Sequence, residues 1–167
     1  MQRLIILRGP PASGKSTIAK KLRNFETKVA WLKVDNFKPF FADDASSALT
    51  FVNGAATATL VYLLHQDFSV VMEGVFQDVK AVYDAVQVAN GRKIPVKVFE
   101  LDVPLETLQT RDSSREGVPE NRRPRVGNET IEKIHDKLIH NPYAQAIFLD
   151  TEKNNLQKCI EIINDSF

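Results

Sequence analysis

Cysteine is almost missing from this chain. Cys159 is the only one in 167 residues, so no intramolecular disulfide can form, and a reducing compartment is compatible. It lies in a terminal helical pattern, Leu156, Cys159, Ile160, Ile163, which assigns it to packing. An excess of charge is missing too. Against 22 basic residues stand 21 acidic ones, a net charge of +1, which gives no global field for holding a long nucleic acid. A short or terminal nucleic acid is not excluded by that balance. No apolar run approaches membrane-spanning length. The N-terminal apolar run is short and lacks the core and cleavage site of a signal peptide, so a cytoplasmic location and no membrane partner are expected. His65, His135 and His140 show no metal-ligand spacing with cysteine or acidic partners. There is no internal repeat, low-complexity tract or linker, and residues 1–167 are expected to form one domain.

What is present begins at Gly9. The run Gly9-Pro10-Pro11-Ala12-Ser13-Gly14-Lys15-Ser16 fits G-x-x-x-x-G-K-[ST] at every fixed position. It follows the apolar run Leu4-Ile5-Ile6-Leu7 and opens onto the helical pattern Thr17-Ile18-Ala19-Lys20-Lys21-Leu22. Strand, glycine-containing turn and helix N-terminus are the context such a phosphate-binding (Walker A) loop needs. Backbone N–H groups of the turn and first helical turn, from Gly9, Ala12, Ser13 and Gly14 through Thr17, point inward and cradle phosphate oxygens. Lys15 is expected to reach the β- and γ-phosphates, and the Ser16 hydroxyl to ligate Mg²⁺.

Short apolar runs alternate with longer periodic segments along the rest of the chain, the pattern of an α/β fold with a parallel sheet. Strands are expected near 3–8, 29–34, 69–73, 95–102 and 146–149. Helices are expected near 15–24, 45–66, 77–90, 104–116, 128–140 and 153–165. Residues 111–128 break the pattern with five arginines, two prolines and two glycines. This stretch is either a solvated basic loop or a lid that closes over phosphates and brings arginines to the transferring group; a phosphate site in the same domain favours the lid.

In open α/β sheets ligands bind at the carboxyl ends of the strands. The second strand delivers Asp35, placed to act as general base on an attacking hydroxyl or to orient the substrate. The third delivers Glu73, placed to hold Mg²⁺ through water or to bind substrate. At the fourth, Asp102-Val103-Pro104 reads as a turn into a helix, with Asp102 in a structural role. The fifth ends at Asp150-Thr151, followed by a loop of the kind that packs against the base of a bound nucleotide. The chain contains no N-K-x-D run, which weakens a guanine-specific reading. Phe37, Phe40 and Phe41 form either an apolar wall for substrate or an anchor for their loop.

Together these residues resemble the small P-loop kinases, in particular the group that includes chloramphenicol phosphotransferase, zeta-toxin-type kinases and polynucleotide 5′-hydroxyl kinase domains. The likeness covers nearly the whole chain. It rests on Gly9–Ser16, Val34-Asp35, Met72-Glu73-Gly74, and Leu101-Asp102-Val103-Pro104 leading to Arg111 and Arg115. It implies a three-layer P-loop NTPase fold with a five-stranded parallel sheet, helices on both faces and an arginine-rich lid. It further implies Asp35 as the base on the acceptor hydroxyl, Arg111 and Arg115 as phosphate clamps, and Glu73 in substrate binding, as in the zeta type. Polynucleotide kinases usually carry an aspartate at the position of Glu73. They also frequently carry an arginine soon after the strand-two acid, where this chain has Asn36-Phe37-Lys38. The expected activity is therefore ATP- and Mg²⁺-dependent phosphoryl transfer to a hydroxyl of a small-molecule acceptor, with Lys15, Asp35, Arg111 and Arg115 catalytic and Asp35, Phe37 and Glu73 on the substrate. A nucleic-acid 5′-hydroxyl kinase is the alternative, and a non-catalytic ATP-binding switch the second alternative.

Overall fold

The computed structural model describes residues 1–25, 27–41, 45–114 and 125–167, the side chains of 45–48 excepted. The chain runs β1 (Leu4–Arg8), α1 (Lys15–Arg23), β2 (Val29–Lys33), a 3-10 helix (Val34–Phe40), α2 (Ala45–His65), β3 (Ser69–Gly74) and α3 (Lys80–Gly91). It continues through β4 (Val96–Asp102), α4 (Leu105–Ser113), α5 (Asn128–Ile139), β5 (Ile147–Asp150) and α6 (Leu156–Asp165). The strands form one sheet in the order β2-β3-β1-β4-β5, every pair parallel.

The central strand explains the layering. All five residues of β1 are buried, and successive side chains of a strand point to opposite faces. Leu4 and Ile6 join Val70, Met72 and Val98 under α2 and α3, packed on Val52, Leu60, Val82 and Ala85. Ile5 and Leu7 join Val71, Phe99, Leu101 and Leu149 under α1 and α6, packed on Ile18, Leu22, Ile160 and Ile163. Both faces are therefore dry, which is why β1 and β3 read as continuous apolar runs. The result is the expected three-layer α/β arrangement. Cys159 belongs to the second of these cores, in the packing role expected of it, and burial pushes its thiol pKa up. A third small cluster, Val103, Leu108 and Ile131, joins α4 to α5.

Four boundaries differ from expectation, the first being α4, expected over 104–116, which ends at Ser113. Strand β2 stops at Lys33, and residues 34–40 wind into a 3-10 helix in place of a loop. Pro39 lies inside it; the short helix is held by Phe37 and Phe41, which pack on the larger core. Helix α3 begins at Lys80 and not near 77, because the Asp78 carboxylate accepts the Lys80 N–H at 2.9 Å and sets the start there. Helix α6 begins at Leu156 and not near 153. The Asp150 carboxylate accepts the N–H groups of Glu152 and Lys153, both at 2.9 Å, an Asx-type turn that competes with helix. Asn155 then caps α6 by accepting the Lys158 N–H. Among the described residues no helix is long and apolar enough to cross a membrane.

Candidate active site

The phosphate loop joins β1 to α1 at the carboxyl end of the sheet. Gly14 has φ of +99°, a conformation a side chain strongly disfavours. At Gly9 an added Cβ would lie 3.0 Å from Ser13 Oγ and 3.1 Å from Leu101 Cβ, so the loop could not fold down on β4 with a larger residue. Gly14 immediately precedes α1, and its carbonyl accepts from Thr17 and Ile18 N–H. No side chain caps this end and no acidic residue stands in its first turn, leaving its positive dipole end for an anion. Lys15 lies inside the loop, its Nζ donating to Gly9 O at 2.8 Å, Pro10 O at 2.7 Å and Ser13 Oγ at 3.2 Å.

Register delivers the acids. Glu73 on β3 stands opposite Leu7 of β1, one residue before the end of each strand. It is 2% exposed, and the Ser16 hydroxyl lies 2.8 and 3.0 Å from its two carboxylate oxygens. Asp35 follows β2 in the first turn of the 3-10 helix, paired with Lys38 Nζ at 2.8 Å. A cavity of about 810 Å³ spans the two halves. It is lined by Ala12, Gly14, Lys15, Ser16 and Thr17 of the phosphate loop and α1, and by Lys33, Asp35, Lys38, Asn53, Gln77 and Asp78. Ser114 and Val126, from the arginine-rich stretch 111–128, and Thr130, just after it, also line the cavity.

A second cavity, about 310 Å³, lies on the other side of the loop, lined by Gly14, Thr17, Arg111, Thr151, Asn154 and Cys159 among others. Arg111 sits on α4 and donates through Nη1 to Thr151 Oγ1 at 3.1 Å and through Nη2 to Thr151 O at 2.8 Å. Thr151 Oγ1 in turn donates to Ser13 O at 2.9 Å.

The structure thus brings together Gly9, Ala12, Ser13, Gly14, Lys15, Ser16, Thr17, Glu73 and Asp35. It puts Arg111 beside the loop, against the second cavity. Phe37 is not part of either cavity wall; it packs on the core and against Phe40, ring centroids 5.9 Å apart, so the anchor reading of that aromatic loop is the one its position fits. Arg115 lies outside the described residues, as do Arg122 and Arg123. Three residues take on roles that the sequence did not give them. Thr151 is one. Asp112 is another: fully buried, its carboxylate accepts the N–H groups of Val126, at 2.9 Å, and Gly127, at 3.0 Å. It thereby ties the two flanks of the arginine-rich stretch together. The third is Arg8, buried at the end of β1 and paired with Glu100. An acid beside an arginine-rich run and an arginine ending an apolar strand were the only signals available for the last two.

The sequence matches the AAA domain family over residues 4–139. The chain belongs to that family. No curated protein matches it by sequence. Among solved structures, a tunicamycin resistance protein from Deinococcus radiodurans has the same fold with a TM-score of 0.71 at 17% identity, covering 99% of this chain and 95% of that one. A gluconokinase from Sinorhizobium meliloti superposes with a TM-score of 0.66 at 12% identity, over 95% of this chain and 87% of the other. A chain of the Pnkp1/Rnl/Hen1 RNA repair complex gives 0.65 at 23% identity, over 83% of this chain but only 44% of that one. The fold is the α/β P-loop NTPase fold that these structures share.

Proposed function

We propose that this protein is an ATP-dependent kinase that transfers the γ-phosphoryl group to a hydroxyl of a small-molecule acceptor. One observation carries the reading. A single cavity is lined both by the phosphate-loop residues Lys15 and Ser16 and by Asp35, the donor and acceptor sides that a phosphoryl transfer needs in one place. The second cavity, beside Arg111 and Thr151, is where the nucleobase of the donor fits.

In this scheme the loop amides and Lys15 hold the β- and γ-phosphates. Asp35 accepts the proton of the acceptor hydroxyl as its oxygen bonds to the γ-phosphorus and the bond to the ADP oxygen breaks. Arg115 is the cation proposed for the charge that develops; Arg111, the alternative for that role, stands beside the second cavity, hydrogen-bonded to Thr151. Lys38 is half exposed, so its pair with Asp35 is weak enough to exchange for an acceptor hydroxyl. Mg²⁺ suits the adjoining Ser16 hydroxyl and Glu73 carboxylate, both hard oxygen ligands. The remaining ligands of such an ion would come from phosphates and water. When bound, it would neutralise phosphate charge.

Formation of ADP from MgATP, measured against nucleosides, sugars, antibiotics and a 5′-hydroxyl oligonucleotide at several salt concentrations, tests the proposal. Turnover with one small hydroxyl compound, abolished in Asp35→Asn, is the expected result. Salt-sensitive turnover with the oligonucleotide alone would shift the acceptor to a nucleic-acid end. ATP binding with no transfer to any hydroxyl, and full biological function in Asp35→Asn, would leave a nucleotide-binding switch.

A further inference from the structure

We propose that Thr151 is a positioning residue that fixes the orientation of the Ser13–Gly14 peptide in the phosphate loop. The inference rests on the reading of that loop as a nucleotide site. A threonine hydroxyl has one proton to donate and can accept two. The Arg111 guanidinium can only donate, and it does so to Thr151 Oγ1 at 3.1 Å. The hydroxyl proton is thereby committed to Ser13 O, 2.9 Å away. Thr151 also receives Arg111 on its own carbonyl, so the hydroxyl is held from two directions.

The consequence lies one atom further on. A trans peptide is planar, so the Ser13 C=O and the Gly14 N–H point in opposite directions. Gly14 lines both cavities, whereas Thr151 lines only the smaller and Lys15 and Ser16 only the larger. Holding Ser13 O toward Thr151 aims the Gly14 N–H away from the small cavity and toward the side where Lys15 and Ser16 lie. The latch is needed because this peptide precedes a glycine at φ +99°, where the backbone has alternatives an ordinary residue lacks. Ser13 is fully buried. Removing the Thr151 hydroxyl would leave its carbonyl short of a partner and favour rotation of the peptide, turning a carbonyl toward the phosphates.

Isothermal titration of Thr151→Val with MgATP and with magnesium tripolyphosphate, which has no base, tests this. The isosteric variant is expected to bind both ligands about tenfold more weakly, with Thr151→Ser restoring wild-type affinity for both. Weakening of ATP alone, tripolyphosphate unchanged, would place the effect at the base and overturn the proposal. So would unchanged affinity for both. Wild-type protein that binds neither ligand would instead overturn the nucleotide reading itself. Should Thr151→Val not fold, the Gly14 amide resonance of the wild type decides. One sharp signal that moves on adding tripolyphosphate is expected; two exchanging signals, or no movement, would overturn the role of Thr151.

Discussion

The Ser16 hydroxyl bridges both carboxylate oxygens of Glu73, at 2.8 and 3.0 Å. A helix that starts at a phosphate loop and β3, four elements further along the chain, thus meet at one buried carboxylate. Glu73→Gln keeps a hydrogen-bonding partner for Ser16 and removes the charge. If Glu73 serves the metal, the Mg²⁺ concentration for half-maximal activity is expected to rise about tenfold to a hundredfold, with acceptor KM unchanged. A rise in acceptor KM at unchanged Mg²⁺ requirement would assign Glu73 to the substrate. A Mg²⁺ titration at fixed ATP, repeated at two acceptor concentrations, separates the two.

Much of this site was legible in the sequence because it depends on local order. A short, largely apolar strand with an acid at or just past its end puts that acid at the carboxyl edge of a parallel sheet; Glu73 stands near the end of β3 and Asp35 just past β2. The phosphate loop is contiguous, so its spacing reports its own geometry. What stayed hidden depends on residues far apart. Thr151 and Ser13 are 138 positions apart, and Arg8 and Glu100 are 92 apart; no local pattern announces either contact. Asp112 reads as one polar residue among many, because its buried environment is made by α4 and the segment before α5 together. The 3-10 turn at 34–40 has no local signature in the sequence, because Phe37 and Phe41 hold it by packing on a core built from other elements.

Asp35 carries the second prediction. Its partner Lys38 follows it by three residues and is 55% exposed at the side chain, so solvent screens the pair. Asp35→Asn is expected to lower kcat by about 10²–10⁴ while leaving ATP affinity within about twofold. Lys38→Ala is expected to change kcat by only a few fold, since exposed pairs of this kind are worth about 0.2–1 kcal/mol. Steady-state kinetics on both variants, with ATP binding measured separately, checks the contrast. Equal losses in the two would make the pair a structural unit.

Arg8 and Glu100 concern stability. Arg8 is 1% exposed. Besides Glu100 it donates through Nε to Phe76 O at 3.1 Å and through Nη2 to Asn141 O at 2.7 Å, while Glu100 Oε1 also accepts the Tyr143 N–H at 2.8 Å. The pair thus secures the loops that follow β3 and α5. Glu100→Ala leaves a buried guanidinium without its counter-charge, and a loss of about 3–5 kcal/mol is expected. An apolar pair, Arg8→Met with Glu100→Leu, is not expected to recover that loss. It abandons two carbonyls and one backbone N–H that the charged pair satisfies, each costing about 1–3 kcal/mol if left unsatisfied. Urea unfolding of the single and double variants measures both.

Cys159 reports on the smaller cavity. Burial raises its thiol pKa, the neighbouring Asp150 charge adding to the effect, and its Sγ lies 3.6 Å from Asn154 O. The thiolate is the species that reacts with alkylating agents. A raised pKa lowers the thiolate fraction at any pH below it, so labelling by iodoacetamide at pH 8 is expected to be at least about tenfold slower than in urea-unfolded protein, and to accelerate as pH rises. Because Cys159 lines the cavity beside Arg111 and Thr151, occupancy of that cavity by a nucleobase is expected to slow labelling further. Magnesium tripolyphosphate, which fills only the phosphate loop, is expected to leave the rate unchanged. Mass spectrometric time courses with MgATP, with tripolyphosphate and with neither compare the three rates directly, and equal protection by both ligands would move the base out of this cavity.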